Sequence, residues 1–134
     1  MRWRVRTVLL TGAAILTLLV TGNIAAEARA RKPTVVVAGT AAAASRIVPL
    51  ALEHAHLTCV EPPLNAFVVA ERVTHVWREP APDRADTSAP DMSGISARVE
   101  FYSLFGVRIA SATAVYGAAV FCGRAAGEYT PPHR

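Results

Sequence analysis

A chain of 134 residues, 52% hydrophobic and 18% charged, is long enough for one buried core and too short for two. Its net charge of +4 sits mostly in the N-terminal segment, because from residue 31 onward ten Lys and Arg stand against nine Asp and Glu. That balance excludes a basic nucleic-acid-binding face and an acidic tail.

The N-terminus carries Arg2, Arg4 and Arg6, then an apolar run from Val8 to Val20 interrupted only by Thr and Gly, then Gly22 and Asn23. Ala26-Glu27-Ala28 and Ala28-Arg29-Ala30 place small residues where a signal peptidase needs them. Residues 1–30 therefore read as a signal peptide cleaved after Ala28 or Ala30. The alternative is a signal anchor, since Val8 to Ala26 makes nineteen residues, just enough to span a bilayer. The positive charge keeps the N-terminus inside under both readings. The absence of a Cys at 20–30 excludes a lipoprotein anchor, and the lack of an Arg-Arg pair points to the general secretory route.

Thr34 to Ala38 is β-branched and ends at Gly39, which predicts a short strand. Pro49 fits the first turn of a helix running through Leu50, Leu52 and His54, with a strand entering Leu57–Val60 as the alternative. Pro62-Pro63 ends that element. From Asn65 to Glu79, Phe67, Val69, Ala70, Val73, Val76 and Trp77 follow helical spacing, with Asn65 as cap and Pro80 as stop. The β-branched content of the same stretch favours a strand. The spacing makes helix the expectation.

Residues 80–94 are rich in Pro, Asp and Ser and read as a flexible solvated loop. Ile95, Ala97, Val99, Phe101 and Phe105 alternate with polar residues, the pattern of a half-buried strand. Gly106 marks a turn, Val107 to Thr113 a second strand, and 95–113 a hairpin. Ala114 to Cys122 is a third apolar run, and 124–134 a mobile tail.

The expected fold is thus α+β. It is a small single domain, residues 31–123, on an antiparallel sheet after an N-terminal signal segment, with an all-β sandwich as the alternative.

Cys59 and Cys122 are the only cysteines. In an exported chain they are expected to pair, which would bring 57–60 beside 118–122, most simply as neighbouring strands. His54, His56 and His75 are weak candidates for a metal site. On a strand His54 and His56 would share a face, with a further ligand from Glu53 or Glu71. The sequence holds no Gly-x-Ser-x-Gly, Ser-x-x-Lys or His-Glu-x-x-His motif. Phe101, Tyr102, Phe105 and Tyr116 lack interleaved basic residues for base stacking. No catalytic residue, cofactor or family resemblance emerges.

The functional expectation is an exported, non-catalytic binding or structural module of the cell envelope or extracellular space. Its partner would be another protein or an envelope component. Three alternatives stand beside it: an inhibitor of extracellular hydrolases presenting 80–94, a metal-assisted enzyme using the histidines, and a membrane-anchored component of an envelope assembly if residues 8–26 are retained.

Overall fold

The computed structural model describes residues 2–78, 94–117 and 119–124. They form an α+β domain: helices α1 (Arg2–Ala30) and α2 (Ala41–Cys59), and strands β1 (Val35–Val36), β2 (Ala70–Arg78), β3 (Ile95–Tyr102), β4 (Arg108–Val115) and β5 (Ala119–Arg124). The strands make one sheet in the order β1-β2-β3-β4-β5. All neighbours are antiparallel except β1 and β2, which run parallel and are joined by the α2 crossover. Most of the expected loop at 80–94 and of the tail at 124–134 lies outside the described residues.

α1 has the length and composition to cross a membrane, and it fits a signal segment or a membrane anchor. Thr11, Thr17 and Thr21 donate their hydroxyls to the carbonyls of Thr7, Ala13 and Thr17 at 2.8, 2.9 and 2.8 Å. Each side-chain hydroxyl is thereby satisfied inside the helix.

α2 begins earlier than Pro49 suggested. Ala41 to Ala44 are strong helix formers, so Pro49 lies within the helix, exposed on its outer side, and not in its first turn. The helix buries Ala44, Ile47, Ala51 and Ala55, a stripe at helical spacing. That stripe packs on Val73, Val76, Ala97, Val99, Phe101, Ala110, Ala112 and Ala114 of the sheet. Small residues on both surfaces let the layers approach closely, and Phe101, fully buried, supplies the bulk.

The expected helix at 65–79 is not formed. Leu64–Phe67 is a short 3-10 turn and Ala70–Arg78 is β2. The cause is a β-bulge. The register slips between Val73 and His75, so Val73 lies opposite Val99 and Val76 opposite Ala97. An extra residue in one strand sets Val73 and Val76, three apart, on the same core-facing side. Their spacing imitates a helix while their β-branching reports the strand.

The hairpin at 95–113 is present: Ala97, Val99 and Phe101 pair with Ala114, Ala112 and Ala110. The apolar run at 114–122 is split by a turn at Tyr116-Gly117, with Gly117 at φ +80°, before β5. Cys59 and Cys122 form a disulfide with Cα atoms 5.4 Å apart. The pairing is as expected but its topology differs. Cys59 ends α2, so the bond ties a helix terminus to the edge strand β5 and does not join neighbouring strands.

Candidate functional site

Two places on the body concentrate chemistry. The first is a groove of about 610 Å³ at the end of α2, bounded by the Cys59–Cys122 disulfide, Pro62, Phe67, Ile109 and Glu61. Pro62-Pro63 is a cis peptide that turns the chain from α2 into the 3-10 turn. Phe67, 60% exposed, stands at the groove wall. The volume suits a small molecule or a few side chains of a partner, and the lining is mainly apolar. Glu61 is the one ionisable group among the described lining residues.

The second is a polar cluster on the sheet face opposite α2. Alternation puts Glu100 and Tyr102 of β3 on that face, and the pairings Arg72 with Glu100 and Tyr102 with Arg108 bring two cations beside them. Tyr102 donates its hydroxyl to Glu100 Oε2, and Arg108 donates from a guanidinium nitrogen to Glu100 Oε1 at 3.1 Å. Burial alone would push the Glu100 carboxyl up. The bonds from Tyr102 and Arg108 and the charges of Arg108 and Arg98 outweigh it, so its pKa lies below the ordinary value. Burial, then the bond to Glu100 and its charge, push the Tyr102 hydroxyl up to about 12 against the opposing charges of Arg72 and Arg29. A charge-paired carboxylate and a firmly protonated phenol hold structure; neither is poised to exchange protons near neutrality.

This cluster also meets α1. Arg72 donates to the carbonyl of Arg29 at 3.0 Å. Ala26 of α1 is fully buried. A Cβ placed on Gly22 would lie 3.1 Å from Leu104 and 3.3 Å from the Phe105 ring, and one on Gly106 would lie 2.7 Å from Arg29 Cγ. The last turns of α1 therefore seat on the turn between β3 and β4 through glycine and alanine contacts.

The histidines do not converge. His54 and His56 lie on α2, where residues two apart point to different sides, so the shared face expected of a strand does not exist. His54 is exposed, while His56 Nδ1 is 2.9 Å from Glu71 Oε2 of β2. His75 is exposed on β2 with Nδ1 3.1 Å from Thr74 Oγ1. Among the described residues no group of three His, Cys, Asp or Glu is placed to hold an ion. His56 and Glu71 are the one pair of those candidates brought together.

The chain matches no family model, no curated protein and no solved structure among those compared with it. Its chemistry is therefore read from its own residues. Sequence patterning alone missed the Glu100–Tyr102–Arg108 cluster. The signal for it was present: Glu100 and Tyr102 alternate on one strand face, and a hairpin centred on Leu104–Gly106 returns Arg108 beside them.

Proposed function

We propose that the chain is a non-catalytic module of the cell envelope, held on the outer side of a membrane by an uncleaved α1. It offers the disulfide-bounded groove to a protein or envelope component. The observation that carries this reading is the seating of α1 on the body. Cleavage after Ala28 or Ala30 would remove Gly22 and Ala25 from against Leu104–Gly106, and cleavage after Ala30 would also strip the Arg29 acceptor from Arg72. The threonine hydroxyls bonded back along α1 suit a helix in lipid, where polar groups need internal partners. Arg2, Arg4 and Arg6 favour the cytoplasmic side for the N-terminus, which supports a body on the far side of the membrane, where an oxidising compartment suits its disulfide. The groove's apolar lining supports binding over chemistry.

Intact-mass measurement of the protein recovered from membranes of expressing cells tests the anchor. The expected mass includes residues 1–30, and the protein should resist alkaline extraction. A mass starting at Arg29 or Arg31 would overturn the reading. A photo-crosslinking side chain at Phe67 should capture one discrete partner in whole cells, while one at the exposed Leu57, outside the groove, should not.

A further inference from the structure

We propose that the turn between β3 and β4, with Phe105 at its tip, sits in the outer interface of the bilayer that α1 crosses, so that the body is seated on lipid and not merely tethered above it. This rests on the retention of α1 proposed above.

The depth follows from α1 itself. Arg6 is the last cation before the apolar run, and a bilayer core takes about 20 helical residues, which carries the span from Thr7 to Ala26. Gly22 is four residues short of that end, or about 6 Å inside the boundary at the helical rise. The Phe105 ring packs directly on Gly22, so Phe105 lies at the same depth. Beyond Ala26 come Arg29, Arg31 and Lys32, cations at headgroup level.

The exposed surface of the turn has the matching chemistry. Phe105 is 52% exposed and Val107 57%. Val69 joins them at the same end of the sheet, its amide donating to the carbonyl of Tyr102 at 2.8 Å. An apolar rim at this depth faces acyl chains and not water. Two of the turn's backbone amides are bonded within the turn itself, which suits an interfacial segment. Ser103 N donates to the carbonyl of Val107 at 2.9 Å, and Gly106 N donates to that of Ser103 at 3.1 Å.

Phe105 adds an independent observation. Its φ is +66°, left-handed backbone that aromatic residues rarely adopt and that turns normally give to Gly or Asn. A disfavoured conformation persists where other contacts hold it. Seating the ring between α1 and lipid supplies such contacts.

The test uses the full chain in vesicles of phosphatidylcholine and phosphatidylglycerol. Phe105→Trp is made in a background with Trp3→Phe and Trp77→Phe, with Val107→Trp as a second position should the first perturb folding. Lipids brominated near the glycerol end of the chain should quench the introduced tryptophan and leave its emission blue-shifted. The same replacement at Phe121, 53% exposed on β5 away from the turn, should show neither effect. Intact mass of the same sample reports whether α1 is present. With α1 present, red-shifted unquenched emission at both positions overturns the lipid seat and leaves the anchor standing. Blue-shifted emission insensitive to bromine would assign the rim to a protein neighbour or a second copy and equally overturn it. Absence of α1 overturns both readings.

Discussion

Gly106 lies directly beneath Arg29. A Cβ at Gly106 would stand 2.7 Å from Arg29 Cγ and 3.1 Å from the carbonyl oxygen of Ala25, at a backbone φ of +69°. The position is thus constrained twice, by left-handed backbone and by the approach of α1. Gly39, at φ +87°, has the first constraint without the second, since nothing lies within 4 Å of its missing Cβ.

Gly106→Ala should therefore destabilise the body by more than Gly39→Ala. The left-handed backbone costs roughly 1–2 kcal/mol at either site, and the contact with α1 adds to it only at Gly106. Arg29→Ala removes the Cγ that would be struck, so the double variant should lose less than the sum of its parts, by about 0.5 kcal/mol or more. Urea unfolding of the parent and the four variants in detergent measures both differences. Equal costs at Gly39 and Gly106, with additive behaviour, would mean that α1 does not rest on the turn.

The Cys59–Cys122 bond joins residues 63 apart in sequence. Cys59→Ser should lower stability by roughly 2–5 kcal/mol. It should also leave Cys122, which is exposed on β5, free to form intermolecular dimers visible on a non-reducing gel. The native chain, denatured without reductant, should titrate no thiols. Two thiols per chain would remove the staple from the account.

What the sequence made legible follows from the purity of its patterns. The strand at 95–102 was readable because Ala97, Val99 and Phe101 alternate without interruption and pair with Ala114, Ala112 and Ala110 in a ladder that stays in register up to Phe101. β2 was not, because its bulge places Val73 and Val76 on one face at a spacing a helix also produces. Local periodicity cannot separate those cases, since the extra residue is defined only against the partner strand. The placement of His54 and His56 was ambiguous for a related reason. A face shared by His54 and His56 exists only on a strand, and the alanines preceding Pro49 carry the helix through both. The cysteine pair was legible as chemistry, but the element holding Cys59 was not. The seat of α1 depends on glycines at 22 and 106, and a glycine in sequence does not say what approaches it.

The contact between α2 and the sheet is set by small residues. Ala55 is fully buried and Ala51 nearly so, facing a sheet of Val and Ala. Ala55→Leu should cost about 1–3 kcal/mol by overpacking, and Ile47→Ala about 2–5 kcal/mol by leaving a cavity. Leu57→Ala, on the exposed side of α2, should stay within about 0.5 kcal/mol of the parent. Denaturant midpoints order the three. A tolerated Ala55→Leu would show that the layers are further apart than the burial implies.

Stability should fall at both ends of the pH range through one pair of residues. Glu100 is held below its ordinary pKa, so the folded state binds its proton more weakly than the unfolded chain does. The stabilisation is present above the unfolded carboxyl value and is lost as pH drops through the folded one. Tyr102 is pushed the other way, from 10.0 to about 12. Its contribution is full below pH 10.0 and disappears as pH rises toward 12, because the unfolded chain releases that proton first. Tyr102→Phe separates the two ends. It removes the alkaline loss attributable to this phenol, and it takes a donor from Glu100, whose carboxyl must then rise, so that the acid-side loss is smaller and is complete at a higher pH. Glu100→Gln has the complementary effect: the acid-side loss shrinks, and the phenol, relieved of a neighbouring negative charge, ionises earlier. Tyrosinate absorbance of the folded chain, which has three tyrosines, should show one ionisation near pH 12 that is absent in Tyr102→Phe and earlier in Glu100→Gln. If Tyr102→Phe leaves the acid limb where it was, the phenol does not donate to Glu100, and the cluster beneath the foot of α1 is held by Arg108 alone.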